Sequence, residues 1–191
     1  METQYLQLLH DLLTKGERRS TRSGTVYSSF GHTLKFDLSN SFPLLTTKKM
    51  FFKGIVEELA WFLRGSTNVQ ELRDKKVHIW DGNTKDRGYD AGPVYGFQWR
   101  HFGAEYKGHQ TDYQGQGVDQ LQWIINEIKI NPTSRRLIMN AWNPVDLDKM
   151  ALPPCHVLAL LRSRSYWSQR NCHHPIHRDE RPSLCLQESI G

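Results

Sequence analysis

The stretch Ala151-Leu152-Pro153-Pro154-Cys155-His156 decides how the rest of the chain is read. Proline cannot donate to a strand ladder or continue a helix, so Pro153 and Pro154 fix an irregular backbone just before Cys155. A rigid approach aims a nucleophile. Only the thiolate attacks, so Cys155 in that role needs a nearby cation or other help to ionise. The bland alternative is a buried, inert cysteine, the commoner state of a lone Cys-His pair. The surrounding sequence favours the nucleophile.

Outward from this stretch, 191 residues suit one domain with a real core. No apolar run approaches the ~20 residues that span a bilayer, and no basic start with an apolar h-region marks a secretory signal. Three cysteines, an odd number, give no disulfide framework and point to a reducing compartment. The net charge of +5 suits anionic substrates such as phosphates. No lysine-rich run or RNA-binding signature indicates nucleic acid, and no internal repeat is present.

Residues 2–15 place Tyr5, Leu8, Leu9, Leu12 and Leu13 at helical spacing, and Gly16 ends the run. The basic loop around Arg22 could hold a phosphate or be a solvated turn. Leu34, Phe36 and Leu38 are expected on one face of a strand. Residues 51–64 read as a helix with an apolar stripe of Ile55, Leu59, Phe62 and Leu63. Glu58 lies beside that stripe, where burial raises a carboxylate's pKa and suits acid–base work. The alternative is a glutamate at the stripe's edge, reaching solvent.

Residues 77–81 are expected as a short strand or extended edge, and residues 91–96 as a turn carrying Tyr95. Trp80, Tyr95 and Trp99 are core by default, or a stack for a flat heterocycle. Residues 103–117 read as a surface insertion. Val118, Leu121, Ile124, Ile125 and Ile128 mark a helix stopped by Asn131-Pro132. Arg135 and Arg136 open a strand over residues 137–142. Adjacent strand residues project to opposite faces, so the pair is not expected to share one ligand within a regular strand.

The order of these pieces resembles the thymidylate synthase family. The resemblance rests on Arg22-Ser23-Gly24-Thr25, Phe42-Pro43-Leu44-Leu45-Thr46-Thr47-Lys48-Lys49, Glu58-Leu59-Ala60-Trp61-Phe62-Leu63-Arg64-Gly65 and Gly92-Pro93-Val94-Tyr95-Gly96-Phe97-Gln98-Trp99-Arg100. Ser66-Thr67-Asn68, which extends the third of these, with Ile79-Trp80-Asp81, Asp119-Gln120, Ser134-Arg135-Arg136, Ala141-Trp142-Asn143-Pro144 and Met150-Ala151-Leu152-Pro153-Pro154-Cys155-His156, complete it. It implies an α/β (α+β) fold, a large mixed sheet with flanking helices, here truncated. It implies reductive methylation of dUMP to dTMP with 5,10-methylenetetrahydrofolate as cosubstrate, in a cytoplasmic homodimer, nucleus and mitochondrion left open. By resemblance Cys155 adds to C6 of the uracil and Glu58 manages proton transfer. Arg22, Arg135 and Arg136 bind phosphate, the last two reaching into the partner subunit's site, and His156 joins the substrate-binding residues. Trp80 and Tyr95 are pocket aromatics, Trp80 on the folate side; no metal is implied. Ala91, Phe51 and the short loop after Arg22 depart from the family's usual residues.

The resemblance is read as ending near residue 158. Residues 1–158 are thus expected as an incomplete synthase-like domain and 159–191 as an unrelated, disordered tail from a frameshift, intron read-through or splice form. From residue 157 onward there are five Arg and no Lys, against nine Arg and eleven Lys upstream. Cys172, His173, His174, His177 and Cys185 are zinc-competent types at a spacing that matches no finger pattern. Loss of the family's second half predicts low stability and little methyl transfer. Two other readings stand beside the synthase: an inactive or regulatory fragment, and a related pyrimidine hydroxymethylase.

Overall fold

The computed structural model describes residues 2–21, 24–39 and 41–162. Its core forms where one helix, α2 (Phe52–Leu63), meets a second, α5 (Tyr95–His101). Trp61 is fully buried and Phe62 nearly so, and Phe62 lies 4.6 Å from the Tyr95 ring, centroid to centroid. Gly96 permits this approach. A Cβ there would stand 2.9 Å from the Ser66 carbonyl oxygen and 3.0 Å from that of Phe62.

The buried face of α2 shares only Phe62 with the expected stripe. Gly54, Trp61 and Phe62 are buried, whereas Ile55, Leu59 and Leu63 are exposed. Glu58 is three and four residues before Trp61 and Phe62, so it shares their face. The expected placement of Glu58 beside buried apolar surface therefore holds, with Phe62 as expected and Trp61 in place of Ile55.

A short helix, α3 (Gln70–Asp74), follows α2, and its last turn ends with Lys76 at φ 64°. The strand expected at 77–81 is absent. Val77 donates back to the Leu72 carbonyl and drops into the core, and Asp81 opens helix α4 (Asp81–Thr84). A turn wound this tightly leaves no extended edge for a partner strand. A 3-10 turn over Lys85–Arg87 leads on to α5.

Residues 91–99 are all buried, including Gln98. Helix α5 is therefore wrapped on every side, and such a helix shows no amphipathic period to find in the sequence. The 103–117 segment is also no loose insertion. Phe102 and Val118 exchange backbone hydrogen bonds of 3.0 and 2.9 Å at its base. Tyr106 and Tyr113 pack edge-on against Phe97, at 5.0 and 4.9 Å.

Helix α1 (Glu2–Lys15) forms as expected, and Tyr5, Leu8 and Leu12 are half-buried, though no residue on it is fully buried. It lies against the hairpin of β1 (Glu17–Thr21) and β2 (Gly24–Ser28). The strand expected around Leu34, Phe36 and Leu38 is irregular. The Gln4 side chain takes both backbone groups of Lys35, at 2.7 and 3.0 Å, where a strand would offer them to a partner. Helix α6 (Gln120–Ile130) begins at Asp119, whose carboxylate accepts the Gln122 N–H. Strand β3 (Ile138–Asn140) pairs antiparallel with β4 (Leu158–Leu160).

The fold thus mixes helix and strand, as expected. Among the described residues its strands form two separate antiparallel pairs. Strand β4 runs across the boundary expected at residue 158, and Leu161 still donates to the Leu137 carbonyl. The zinc-competent residues of 159–191 lie outside the described residues. No helix among those described is long and apolar enough to cross a membrane.

Candidate active site

The turn before α5 supports the site. Gly92 has φ 75°, and a Cβ there would lie 2.3 Å from the Lys149 carbonyl oxygen. Only glycine combines that backbone with so close an approach. The backbone of residues 149–151 rests on this turn, and the Ala151 N–H donates to the Ala91 carbonyl at 2.9 Å. Three residues later the chain reaches Pro154, buried, and Cys155, exposed. The buried-cysteine alternative does not describe this thiol. The prolines do lead into an irregular segment, as expected from their chemistry.

A buried polar network fixes the chain entering this segment. The Gln98 amide donates to Asp146 at 2.9 Å and to the Pro93 carbonyl at 2.9 Å. Asn143 donates to the same Asp146 carboxylate at 3.0 Å, and Lys149 donates to its other oxygen at 2.9 Å. Gln120 links α6 to both Gln98 and Asn140 through their carbonyls. Each buried polar atom so paired avoids a desolvation cost of about 1–3 kcal/mol. In the sequence Asp146 is marked only by an Asn-Pro-x-Asp turn.

Five of the expected residues converge. The Tyr95 hydroxyl accepts the Cys155 N–H at 2.6 Å, and the Tyr95 ring lies 5.7 Å from the His156 ring. Trp80 donates its indole N–H to Glu58 at 2.7 Å, and its ring stands 6.4 Å from that of Tyr95. Trp80 and Tyr95 are 5% and 4% exposed, so both are core aromatics that also touch the site.

Burial pushes the Glu58 carboxyl above its ordinary range, against the opposing pull of the Trp80 hydrogen bond and of His156. The expected direction is therefore found. A carboxyl poised this way can hold or release a proton nearer neutral pH. Burial also raises the Tyr95 phenol, which stays protonated. It can then accept from Cys155 and still donate its own proton.

The arginines fall elsewhere. Arg135 and Arg136 are exposed on the loop entering β3, and neither forms an ion pair among the described residues. They do not sit in a regular strand, so the opposite-faces argument does not restrict them. Arg22 lies outside the described residues. Among those described, no group of three or more His, Cys, Asp or Glu side chains could hold a metal.

The family model described as thymidylate synthase matches residues 3–175, continuing past residue 158. The chain is 54% identical over 170 residues to human thymidylate synthase, covering 82% of this chain and 54% of the human protein. It is 55% identical to a bifunctional dihydrofolate reductase-thymidylate synthase of Paramecium tetraurelia, covering 83% of this chain and 37% of that protein. A bifunctional relative from Leishmania amazonensis is 50% identical over 184 residues, 90% of this chain and 35% of its own length. The chain thus spans only a third to about half the length of these relatives.

Proposed function

The chain belongs to the thymidylate synthase family, and from that premise we propose that it carries the nucleophile and proton-handling part of a site converting dUMP to dTMP. The observation that carries this reading is the convergence of Cys155, Tyr95, His156, Trp80 and Glu58 around one irregular segment.

In this reading Cys155 Sγ adds to C6 of the uracil, and C5 gains carbanion character. 5,10-Methylenetetrahydrofolate, when bound, supplies the one-carbon unit and the hydride. Tyr95 holds the Cys155 backbone in place and offers its O–H to the site. Glu58, with its raised pKa, exchanges protons with the pyrimidine through water. Arg22, Arg135 and Arg136 bind the phosphate of dUMP, the last two across a homodimer interface. That crossing gives a purpose to two exposed arginines with no ion pair among the described residues. The compartment in this reading is the cytoplasm. The family part in this reading runs at least through strand β4, which pairs with β3, and a separate tail follows it.

The test uses a dUMP analogue with fluorine at C5, which lacks the removable C5 proton. Incubated with the chain and methylenetetrahydrofolate, it should leave a covalent mass increment on the peptide bearing Cys155. No increment with the native sequence, or an equal increment in Cys155→Ser, would sink the proposal.

A second reading is favoured by one observation. Phe51, Phe52, Val56 and Leu59 expose a run of apolar surface on and beside α2, each about half exposed. Such a face suits a fragment that works only when covered by further polypeptide. Low turnover by the isolated chain, restored by adding a full-length synthase subunit, would select it.

A further inference from the structure

We propose that Asp90 is a positioning residue, tying the 103–117 segment to the backbone that presents Cys155. The proposal gains its importance from the proposed role of Cys155, but its test does not depend on turnover.

Asp90 sits at the junction of three parts of the fold. Its Oδ1 accepts the Gly92 N–H at 2.7 Å and also the Tyr106 hydroxyl. Its Oδ2 lies 3.4 Å from both the backbone N and the Nδ1 of His109. The Tyr106 hydroxyl is further held by Thr67, 2.8 Å away, next to the carbonyl that receives Ala91. The Asp90 backbone bridges antiparallel to Asn68. A carboxylate accepting several donors is a far stiffer anchor than any single neutral bond.

What Asp90 anchors is the 91–95 turn, and that turn supplies two hydrogen bonds to the thiol segment. The Ala91 carbonyl takes the Ala151 N–H, and the Tyr95 hydroxyl takes the Cys155 N–H. Gly92 between them lies against Lys149. The chain of contacts is short and physical: Tyr106 and His109 hold Asp90, Asp90 holds Gly92, and the turn holds residues 149–155. The 103–117 segment therefore bears on the site without touching it. A sequence cue exists in the Asp-x-Gly spacing, an Asx turn in which the carboxylate accepts from two residues on.

The experiment measures amide hydrogen exchange and Cys155 alkylation by iodoacetamide in the full chain. Asp90→Ala and Tyr106→Phe are compared with Lys107→Ala, which removes only the exposed Lys107–Glu105 pair of the same segment. Both site variants should speed exchange at the Ala151 and Cys155 amides by about tenfold, leaving Ile124 in α6 unchanged. Cys155 alkylation should change with them, while Lys107→Ala should match the parent. Unchanged exchange at Ala151 and Cys155 overturns the proposal, as does equal acceleration at Ile124 or the same effect from Lys107→Ala. If Asp90→Ala does not fold, Tyr106→Phe decides alone, since it removes one hydroxyl and keeps the packed ring. Loss of adduct formation in the native chain with this exchange pattern intact would overturn the synthase reading and leave the role of Asp90 standing.

Discussion

The Tyr95 hydroxyl accepts the backbone N–H of Cys155 at 2.6 Å, across sixty positions of sequence. The bond joins the first turn of a helix buried from Tyr95 to Trp99 to an exposed thiol-bearing residue. It transmits the rigidity of the core to a segment whose two prolines cannot donate hydrogen bonds.

Tyr95→Phe should keep the ring packing on Phe62 and His156 and lose only this acceptor. The expected cost is about 1 kcal/mol of stability, with a larger loss in the rate of Cys155 adduct formation. Urea denaturation and peptide mass spectrometry separate the two effects. An unchanged adduct rate would show that the bond does not position the thiol.

Burial of Glu58 sets the sign of a pH dependence. Its folded pKa is raised, so between the ordinary carboxylate value and the raised one the folded state holds more proton than the unfolded. Stability should therefore fall as pH rises through that window. Glu58→Gln should flatten this part of the profile while leaving an acceptor for the Trp80 N–H. Denaturation midpoints across the acid-to-neutral range provide the check, and an unaltered slope in the variant would refute the assignment.

Arg135→Ala and Arg136→Ala remove exposed side chains without ion pairs among the described residues. Each should shift stability by no more than about 0.5 kcal/mol. In an assembled dimer each should weaken binding of dUMP more than that of deoxyuridine, which lacks the phosphate. Equal loss for both ligands, by titration calorimetry, would count against phosphate recognition.

Gly92→Ala places a methyl group where the Lys149 carbonyl already stands, at a backbone φ of 75°. Strain and displacement of residues 149–151 should together cost at least about 2 kcal/mol. Chemical denaturation measures it. Near-parent stability would mean that the chain relaxes there freely.

Leu59→Lys should reduce self-association of the isolated chain and barely change its unfolding midpoint, because Leu59 is 49% exposed. Light scattering against concentration decides this. Unchanged scattering would place the sticky surface elsewhere.

The sequence by itself determined the family, the thiol and its prolines, the Glu58 carboxyl beside buried apolar surface and helices α1, α2 and α6. Those features are local. A motif states its residues in order, and an amphipathic helix states its period. Tertiary structure decided the rest. Helix α5 carries no period because neighbours cover every face of it. The residues around Leu34 alternate like a strand, yet Gln4 takes the hydrogen bonds that a strand needs. Ile55, Leu59 and Leu63 face outward because Gly96 and Phe62 fix the close approach on the other side. Asp90 shows the limit most clearly. Its Asx turn was present in the sequence, but Tyr106 and His109 reach it only because the 103–117 segment folds back onto Phe97. Which donors share a carboxylate depends on distances between chain segments, and those distances exist only once the core has packed.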